Sequence, residues 1–262
     1  TLISAYRRTK PFLLAHANPV THLIQVMEIA KEGGIPVILD NDSDAGESLI
    51  YELDSLGYST FFFIKTDLCD ASQCESAVKQ TIKDCGAIHG LVNNAGINDG
   101  VSLESGNPNS FRESLGKNLH HYYDMAHFCL PYLRKSGGVI LNIASKTAIT
   151  GQGGTSGYAA AKGGILALTR EWAVELLKDN IRVNAIVPAE VMTPLYQSWL
   201  QKFDNSEAKE KEITDKIPLG KRMTTSEEIA DTALFLLSDK ASHITGQHIH
   251  VDGGYTHLDR LI

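Results

Sequence analysis

Tyr158 and Lys162 are the two residues of this sequence whose types and spacing point most directly to chemistry. They stand four residues apart in a stretch of helical pattern, so both project from the same face of a helix. An ammonium group near a phenol favours the phenolate, and we therefore expect the pKa of Tyr158 to fall below its reference value of ~10. A tyrosine tuned in this way can exchange a proton with an alcohol or a carbonyl near neutral pH. The spacing alone is weak evidence, because an ordinary amphipathic helix can carry the same pair by chance.

Other polar residues occur where apolar runs end or in neighbouring helical stretches. Ser145 lies thirteen residues before Tyr158 and directly follows the apolar run Val139–Ile143. Asn118 lies in a second helical stretch, where its side chain can order a water molecule or a backbone carbonyl. The segment Asn93–Gly96 closes another apolar run with small residues, which allow close approach of the backbone to a ligand.

The elements that must position these residues follow from the alternation of apolar runs and helical patterns. Short apolar runs, typical of buried strands, occupy Pro11–Ala15, Ile35–Leu39, Phe61–Ile64, Gly90–Asn93, Val139–Ile143, Ile181–Ile186 and His248–Val251. Asn18 and Pro19 favour the start of the first helix, and Thr225 or Ser226 caps the last one. This alternation predicts an α/β fold, a doubly wound and Rossmann-like parallel sheet with helices on both faces. Such sheets bind ligands beyond the carboxyl ends of their strands.

No repeat, low-complexity tract or linker divides the chain, so we predict a single domain over residues 1–262. Residues 193–222 form the clearest insertion. They contain Trp199 and Leu200, followed by the charged stretch from Asp204 to Lys216. Two interpretations remain open, a mobile lid over a substrate and a solvated pair of helices.

The composition excludes several classes of protein. The chain has 262 residues, of which 43% are hydrophobic and 21% charged, and its net charge of −7 disfavours a nucleic-acid surface. No apolar run approaches the ~20 residues of a membrane span. The four cysteines show no CxxC spacing, which disfavours a disulfide framework and a cysteine zinc site. The first residues lack the apolar stretch of a secretory signal, so we expect a cytoplasmic protein.

Two histidine pairs invite a metal interpretation. They are His120 with His121, and His248 with His250. No carboxylate or cysteine completes either pair at the spacing of metal ligands. We therefore predict structural histidines and no metal site.

The chain resembles the short-chain dehydrogenases/reductases over residues 33–258. The matching segments are Asn93–Gly96, Asn118, Ser145 with Tyr158 and Lys162, Ile181–Pro188, Thr193, Thr245–Gln247 and Asp252–Gly254. In that family the tyrosine is the general acid or base, and the serine hydrogen-bonds the reacting oxygen. The lysine binds the nicotinamide ribose and tunes the tyrosine, while the asparagine supports a proton relay through water. The resemblance thus implies four catalytic residues, Asn118, Ser145, Tyr158 and Lys162.

The same resemblance implies a nicotinamide dinucleotide as cofactor. Asp40 ends the second strand, where a carboxylate can accept hydrogen bonds from the adenosine ribose and repel a 2′-phosphate, which favours NAD over NADP. A turn aspartate at a strand end is the alternative interpretation. Besides Asp40, Tyr158 and Lys162, the implied cofactor-binding residues are Asp67, Leu68, Asn93, Ala95, Gly96, Val187, Pro188 and Thr193.

One segment departs from the family pattern. The family carries three glycines after the first strand, where backbone meets the pyrophosphate, but this chain has His16, Val20 and His22 at those positions. Pro19 also lacks an amide that could face a phosphate. Three explanations compete: a non-catalytic homologue that lost dinucleotide binding, an altered loop in which His16 or His22 contacts phosphate, and a departure of residues 1–32 from the natural sequence.

The substrate expectation comes from a narrower resemblance to the L-fucose dehydrogenase branch, carried by Asn94–Val101, Lys117–Tyr123 and Ser145–Tyr158. That branch oxidises an aldose at its anomeric carbon to a lactone. Lys146, Gln152 and Glu190 are the candidate sugar-binding residues, although each can equally be a surface residue. The same chemistry on a steroid or another secondary alcohol is the alternative. The resemblance further implies a homotetramer or homodimer whose only other partner is a small-molecule alcohol or sugar, with no nucleic acid and no membrane.

Overall fold

The computed structural model describes residues 10–15, 26 and 28–258. In this part of the chain, seven parallel strands form one sheet with the order β3-β2-β1-β4-β5-β6-β7. The strands are β1 (Pro11–Ala15), β2 (Ile35–Asp40), β3 (Phe62–Lys65), β4 (Gly90–Asn93), β5 (Val139–Ile143), β6 (Arg182–Pro188) and β7 (His248–Val251). Each lies within two residues of a predicted run, so the predicted strands are confirmed.

Helices connect the strands. Residues 28–31 are helical (α1), and the longer helices follow in chain order. They are α2 (Ser43–Ser55), α3 (Ala71–Cys85), α4 (Pro108–Leu115), α5 (His121–Ser136), α6 (Thr147–Thr150), α7 (Ser156–Glu175), α8 (Pro194–Leu200), α9 (Ser206–Thr214) and α10 (Ser226–Leu237). Gly116–His120 forms a π-helical turn between α4 and α5.

The sheet carries a buried apolar layer on each face, as strand geometry requires when successive side chains point to opposite sides. Leu13 of β1 packs in one layer with residues of α3, α5 and α7. Phe12 and Leu14, its neighbours along the strand, pack in the other layer with residues of α2 and α10. Because helices cover both faces of a parallel sheet, the predicted doubly wound α/β fold is confirmed.

The strand order determines where on the sheet a ligand crevice is expected. Chain order runs one way from β1 through β2 to β3, and the other way from β4 to β7. The reversal between β1 and β4 is the switch point at which open α/β sheets bind ligands, outside the carboxyl ends of their strands. Ala15, Asp40 and Asn93 end the three strands beside this point.

Two further expectations concern segments outside the sheet: the insertion at 193–222, which the structure describes, and the start of the first helix, which it does not. The insertion at 193–222 contains the helices α8 and α9, and no residue of α9 is buried. Outside the described residues lie the predicted helix start at Asn18 and Pro19 and the three positions of the absent glycines.

Among the helices that the structure describes, none has the length and apolar character that a membrane span requires.

The start of α10 is defined by a capping box. Thr225, not Ser226, is the N-cap: its hydroxyl accepts from the amide of Glu228, and the Glu228 carboxylate accepts from the amide of Thr225. The apolar face that follows is buried against the sheet through Ile229, Ala233 and Leu236. The cap thus satisfies amides that the first turn leaves without helical partners.

We predict that Thr225→Ala lowers the free energy of unfolding by about 1 kcal/mol, because the hydroxyl acceptor is lost. Chemical unfolding followed by far-UV circular dichroism measures the change, and Thr225→Ser is the matched control that keeps the cap. Equal losses in both variants would contradict the capping account.

Candidate active site

The four residues implied by the resemblance come from three elements that meet at the carboxyl edge of the sheet. Ser145 lies two residues beyond the end of β5, and Tyr158 and Lys162 lie on α7. Asn118 lies in the π-helical turn, a rare conformation often found at functional sites. A Cβ atom added at Gly96 would lie 2.9 Å from Asn118 Oδ1 and 3.3 Å from Lys162 Nζ, so these groups converge on the loop after β4.

Ser145 is oriented as a hydrogen-bond donor toward Tyr158. Its Oγ accepts from the amide of Thr147 at 3.3 Å and from the Thr147 hydroxyl at 3.1 Å. These two bonds use the lone pairs of the serine oxygen, which leaves its proton for the hydrogen bond to the Tyr158 phenol. The serine thus lies near enough to the tyrosine for its hydroxyl to lower the pKa of the phenol.

The expected fall in the pKa of Tyr158 is wrong for this structure. Burial raises the pKa of the phenol, and the hydrogen bond from Ser145 lowers it by less. The reason is the position of Lys162, whose Nζ lies 5.6 Å from the centroid of the Tyr158 ring and donates elsewhere. Its hydrogen bonds go to the Tyr122 hydroxyl at 3.0 Å and to the Ile143 carbonyl at 2.7 Å.

Lys162 itself is buried, with only 2% of its surface exposed. Removal from water disfavours its charged form and lowers the pKa of the ammonium from 10.5 to about 7. The lysine can therefore change its protonation state near neutral pH. That is uncommon for this residue type and typical of functional sites.

Asn118 holds two segments of backbone together. Its Oδ1 accepts from the amide of Ile97 at 2.7 Å, and its Nδ2 donates to the carbonyl of Ser114 at 2.9 Å. The expected ordering of a backbone carbonyl is thus observed, with Ser114 as the partner. The amide ties the loop after β4 to the last turn of α4.

The residues implied for the adenosine end of a dinucleotide lie at the ends of β2 and β3. Asp40 ends β2, and its Oδ1 accepts from the amide of Asp42 at 3.0 Å. Burial raises the pKa of this carboxyl group. Asp67 follows β3, and its Oδ1 accepts from the amide of Cys69, while Leu68 is buried.

The prediction for Asn93 needs a correction. Its side chain does not face the open edge but lies inside the sheet, where Nδ2 donates to Oδ1 of Asn142 at 3.1 Å. The two residues are register partners on β4 and β5 and share the face covered by α5 and α7. Strand alternation therefore leaves only the backbone of Asn93 for a ligand. Ala95, two residues later, donates its amide to Ala15 at the switch point.

The nicotinamide-side residues follow β6. Val187 is buried in the core, so its side chain is turned away from the edge. The Pro188 carbonyl accepts from the amide of Lys146, and the Thr193 hydroxyl accepts from the amide of Tyr196 at the start of α8. Gly96 alone among the implied positions offers a close backbone approach without a side chain.

Two of the three candidate sugar-binding residues come together. Lys146 and Glu190 form an ion pair in which their side chains are 7% and 16% exposed. The other oxygen of Glu190 accepts from the Tyr196 hydroxyl at 2.9 Å, and Lys146 Nζ lies 4.0 Å from the centroid of the Tyr255 ring. We refer to these four residues as the polar cluster. Gln152 lies in the exposed loop between α6 and α7, and no described contact joins it to the cluster.

Three tyrosines of the site were missed from the sequence: Tyr122, Tyr196 and Tyr255. Tyr122 looks like a core residue, and in the structure it is fully buried. The available signal was that a buried phenol needs a hydrogen-bond partner. Tyr196 and Tyr255 carry no comparable signal, because their neighbours come from distant segments.

A doubly wound parallel sheet with a serine, a tyrosine and a lysine at its carboxyl edge is the architecture of a class of α/β oxidoreductases. A family model described as enoyl-(acyl carrier protein) reductase matches residues 25–256. The chain belongs to the short-chain dehydrogenase/reductase family. It is therefore an enzyme of the class that acts on CH–OH groups.

Curated relatives align with most of the chain. The 3-oxoacyl-(acyl-carrier-protein) reductase FabG of Thermotoga maritima is 34% identical over 226 residues, which cover 86% of this chain and 89% of the relative. The cyclohexanol dehydrogenase of an Acinetobacter species is 33% identical over 230 residues, and 87% of each protein is covered.

Solved structures share the whole fold. Cj0485 dehydrogenase is 46% identical with a TM-score of 0.91, and 97% of each chain is covered. A 3-ketoacyl-(acyl-carrier-protein) reductase from Brucella melitensis, complexed with NADH, is 29% identical with a TM-score of 0.84, covering 95% of this chain and 99% of that one. The aldohexose dehydrogenase of Thermoplasma acidophilum is 26% identical with a TM-score of 0.85, covering 97% of each chain.

The buried ammonium predicts a pH-dependent stability difference between wild type and Lys162→Met. Between pH 10 and pH 7 the unfolded chain holds a proton on this lysine that the folded chain releases, since the folded pKa is about 7. Lowering the pH through this window therefore destabilises wild type by up to ~1.4 kcal/mol per pH unit, and the effect levels off below pH 7. The methionine variant lacks this contribution.

Urea unfolding of both proteins from pH 6 to pH 10 measures the difference. We expect the stability of Lys162→Met relative to wild type to increase as the pH falls from 10 to 7. The same difference at every pH would contradict a depressed lysine pKa.

Proposed function

We propose that the protein is an NAD-dependent dehydrogenase that transfers hydride between the cofactor and a hydroxyl group of a sugar or polyol. An aldose such as L-fucose, oxidised to its lactone, is the proposed substrate. The observation that carries the proposal is the grouping of Ser145, Tyr158 and the buried Lys162 at the edge where α/β sheets bind their ligands.

The described residues fit a nicotinamide dinucleotide. Gly96, beside the switch point, lets Asn118 and Lys162 pack close to the backbone of the loop after β4, where a side chain would collide with them. Asp40 ends β2 with carboxylate oxygens that can accept from the ribose hydroxyls of the adenosine half. Lys162 uses two of its three N–H groups in the interior, which leaves one for the nicotinamide ribose. The NADH complex of the Brucella relative supports the same assignment.

Asp40 supports NAD rather than NADP. An ionised carboxylate at this position repels a 2′-phosphate and accepts hydrogen bonds from free ribose hydroxyls. The pyrophosphate contacts would fall to residues 16–22, which lie outside the described residues. Of the three explanations for the absent glycines, the intact arrangement of Ser145, Tyr158 and Lys162 favours the two in which the enzyme remains active.

When bound, the nicotinamide supplies the hydride acceptor for alcohol oxidation. Tyr158 takes the proton of the substrate hydroxyl, and Ser145 donates a hydrogen bond to the same oxygen as the carbonyl forms. Because burial raises the pKa of Tyr158, its ionised form depends on the positive charge of Lys162. Asn118 keeps the loop after β4 against the π-helical turn, so the three groups stay aligned.

The polar cluster supports a polyhydroxylated substrate. Lys146 directly follows Ser145, and Glu190 follows β6, so their ion pair lies between the two loops that flank the reacting groups. A carboxylate and an ammonium together can bind several hydroxyl groups of one sugar. The aldohexose dehydrogenase among the structural relatives supports the same substrate class.

A second candidate substrate is a cyclic or steroid secondary alcohol without further hydroxyl groups. The relative named cyclohexanol dehydrogenase favours it.

We also propose a homotetramer or homodimer in the cytoplasm. The groove between α5 and α7 supports this assembly, because it is lined by the exposed ring of Tyr123 together with Leu130 and Leu176.

We predict that Tyr158→Phe lowers kcat for alcohol oxidation by at least about a hundredfold, because the proton acceptor is lost. Dinucleotide binding should stay within a few-fold of wild type. Steady-state kinetics with a panel of L-fucose, other aldoses, cyclohexanol and a hydroxysteroid measures the change. Tyr51→Phe, on the exposed side of α2, is the matched control. Near-normal turnover in Tyr158→Phe would contradict the mechanism.

We predict that Glu190→Gln raises the KM for the preferred aldose about tenfold or more, since a charged hydrogen-bond acceptor is replaced by a neutral one. The KM for cyclohexanol should change by less than twofold. The comparison separates sugar recognition from a general structural role. An equal rise for both alcohols would overturn the assignment of the polar cluster to the substrate.

A further inference from the structure

Tyr122 is a buried phenol that the mechanism above does not use. It lies on α5, two residues after the π-helical turn, and none of its surface is exposed. Its hydroxyl donates to the Ile143 carbonyl at 2.9 Å and accepts from Lys162 Nζ at 3.0 Å. Lys162 also donates to the same carbonyl at 2.7 Å, so the three groups form a closed triangle.

This triangle joins the three elements that carry the reacting groups. Ile143 ends β5 and lies two residues before Ser145, and Lys162 lies one helical turn after Tyr158 on α7. Tyr122 comes from α5, just beyond the turn that holds Asn118. A hydroxyl that both donates and accepts at this point fixes the lysine relative to the strand end and to the tyrosine.

We propose that Tyr122 is a positioning residue for Lys162, whose hydroxyl holds the ammonium at the end of β5 within reach of Tyr158. The inference rests on the proposed dehydrogenase function for its effect on turnover. It assigns no contact with substrate or cofactor to Tyr122.

The energetic reason is the burial of the lysine. A buried ammonium needs hydrogen-bond acceptors, and the described contacts provide two, the Tyr122 hydroxyl and the Ile143 carbonyl. Removing the hydroxyl leaves one acceptor and makes the charged form less favourable. The state in which Lys162 is charged and Tyr158 ionised, which alcohol oxidation requires, then becomes less populated.

The other groups around Lys162 do not titrate in the relevant range. His121 of α5 couples to Lys162, but burial and the lysine charge lower its pKa to about 4. Asn118 of the π-helical turn and Ser145 beyond β5 are uncharged. Burial raises the pKa of Tyr122 well above its usual value, so its hydroxyl stays protonated. Lys162, whose pKa burial lowers to about 7, is therefore the group among these whose protonation changes between pH 6 and pH 10.

The variant Tyr122→Phe removes the hydroxyl and keeps the ring that packs against His121 at 4.8 Å. We expect the loss of kcat to be small near pH 5 and to reach about tenfold by about pH 8, as for a lost hydrogen bond to a charged group, because the charged form of Lys162 is lost about one pH unit earlier. The pH above which kcat falls to half of its maximum should therefore be lower by about one unit. Tyr132→Phe on the same helix is the matched control. A fall by the same factor at every pH would indicate a structural role and overturn the proposal.

A second measurement needs no turnover. In the free protein labelled with carbon-13 lysine, the Cε resonance of Lys162, assigned with Lys162→Arg, reports its titration directly. The midpoint should lie about one pH unit lower in Tyr122→Phe than in wild type. An unchanged midpoint would overturn the proposal even if kcat falls. If wild type oxidises none of the alcohols while the midpoint shifts, the proposed function fails and the positioning role stands.

A double-mutant cycle tests whether the effect of Tyr122 on turnover depends on Lys162. If Tyr122 acts through Lys162, then Tyr122→Phe should not lower kcat further in a Lys162→Met background. An additive loss in the double variant would show that the hydroxyl acts independently of the lysine.

Discussion

A positive charge buried beneath the carboxyl edge of the sheet constrains the geometry of the whole site. Lys162 has almost no exposed surface, and an ammonium removed from water must find hydrogen-bond acceptors or lose its proton. The acceptors are supplied by the end of β5 and by α5, so burying the charge draws α5, β5 and α7 to one point. The same strand end leads into Ser145, and the same helix carries Tyr158. The arrangement that aligns the reacting groups is thus a consequence of solvating one charge inside the protein.

Because burial disfavours the charged form of Lys162, the protonation state of this lysine is adjustable. Burial brings the pKa of Lys162 to about 7, so its protonation responds to small changes in its surroundings. Burial shifts the pKa of Tyr158 in the opposite direction, upward, because it disfavours the phenolate. A proton acceptor for alcohol oxidation arises only when the two groups act together, with the lysine charged and the tyrosine ionised. The residues that hold the lysine therefore influence the reaction without touching the substrate.

The sequence was sufficient to predict the frame but not the interior contacts. Apolar runs located all the described strands to within two residues, and the edge at which Asp40, Ser145 and Asn93 would lie followed from the parallel order. Which way a strand-end side chain points depends on register, and that is why Asn93 was expected at the ligand and lies against Asn142 instead. The pKa of Tyr158 was expected to fall because helical spacing places Lys162 nearby, but spacing does not reveal where an ammonium donates. Tyr122, which redirects it, lies forty residues away along the chain.

We propose that a dinucleotide without a 2′-phosphate binds at the ends of β1, β2 and β4. A fluorescence titration of purified wild type and Asp40→Ser with NADH and with NADPH tests this proposal. We expect micromolar binding of NADH by wild type and clearly weaker binding of NADPH, with the preference reduced in Asp40→Ser. Failure of wild type to bind either dinucleotide would contradict it.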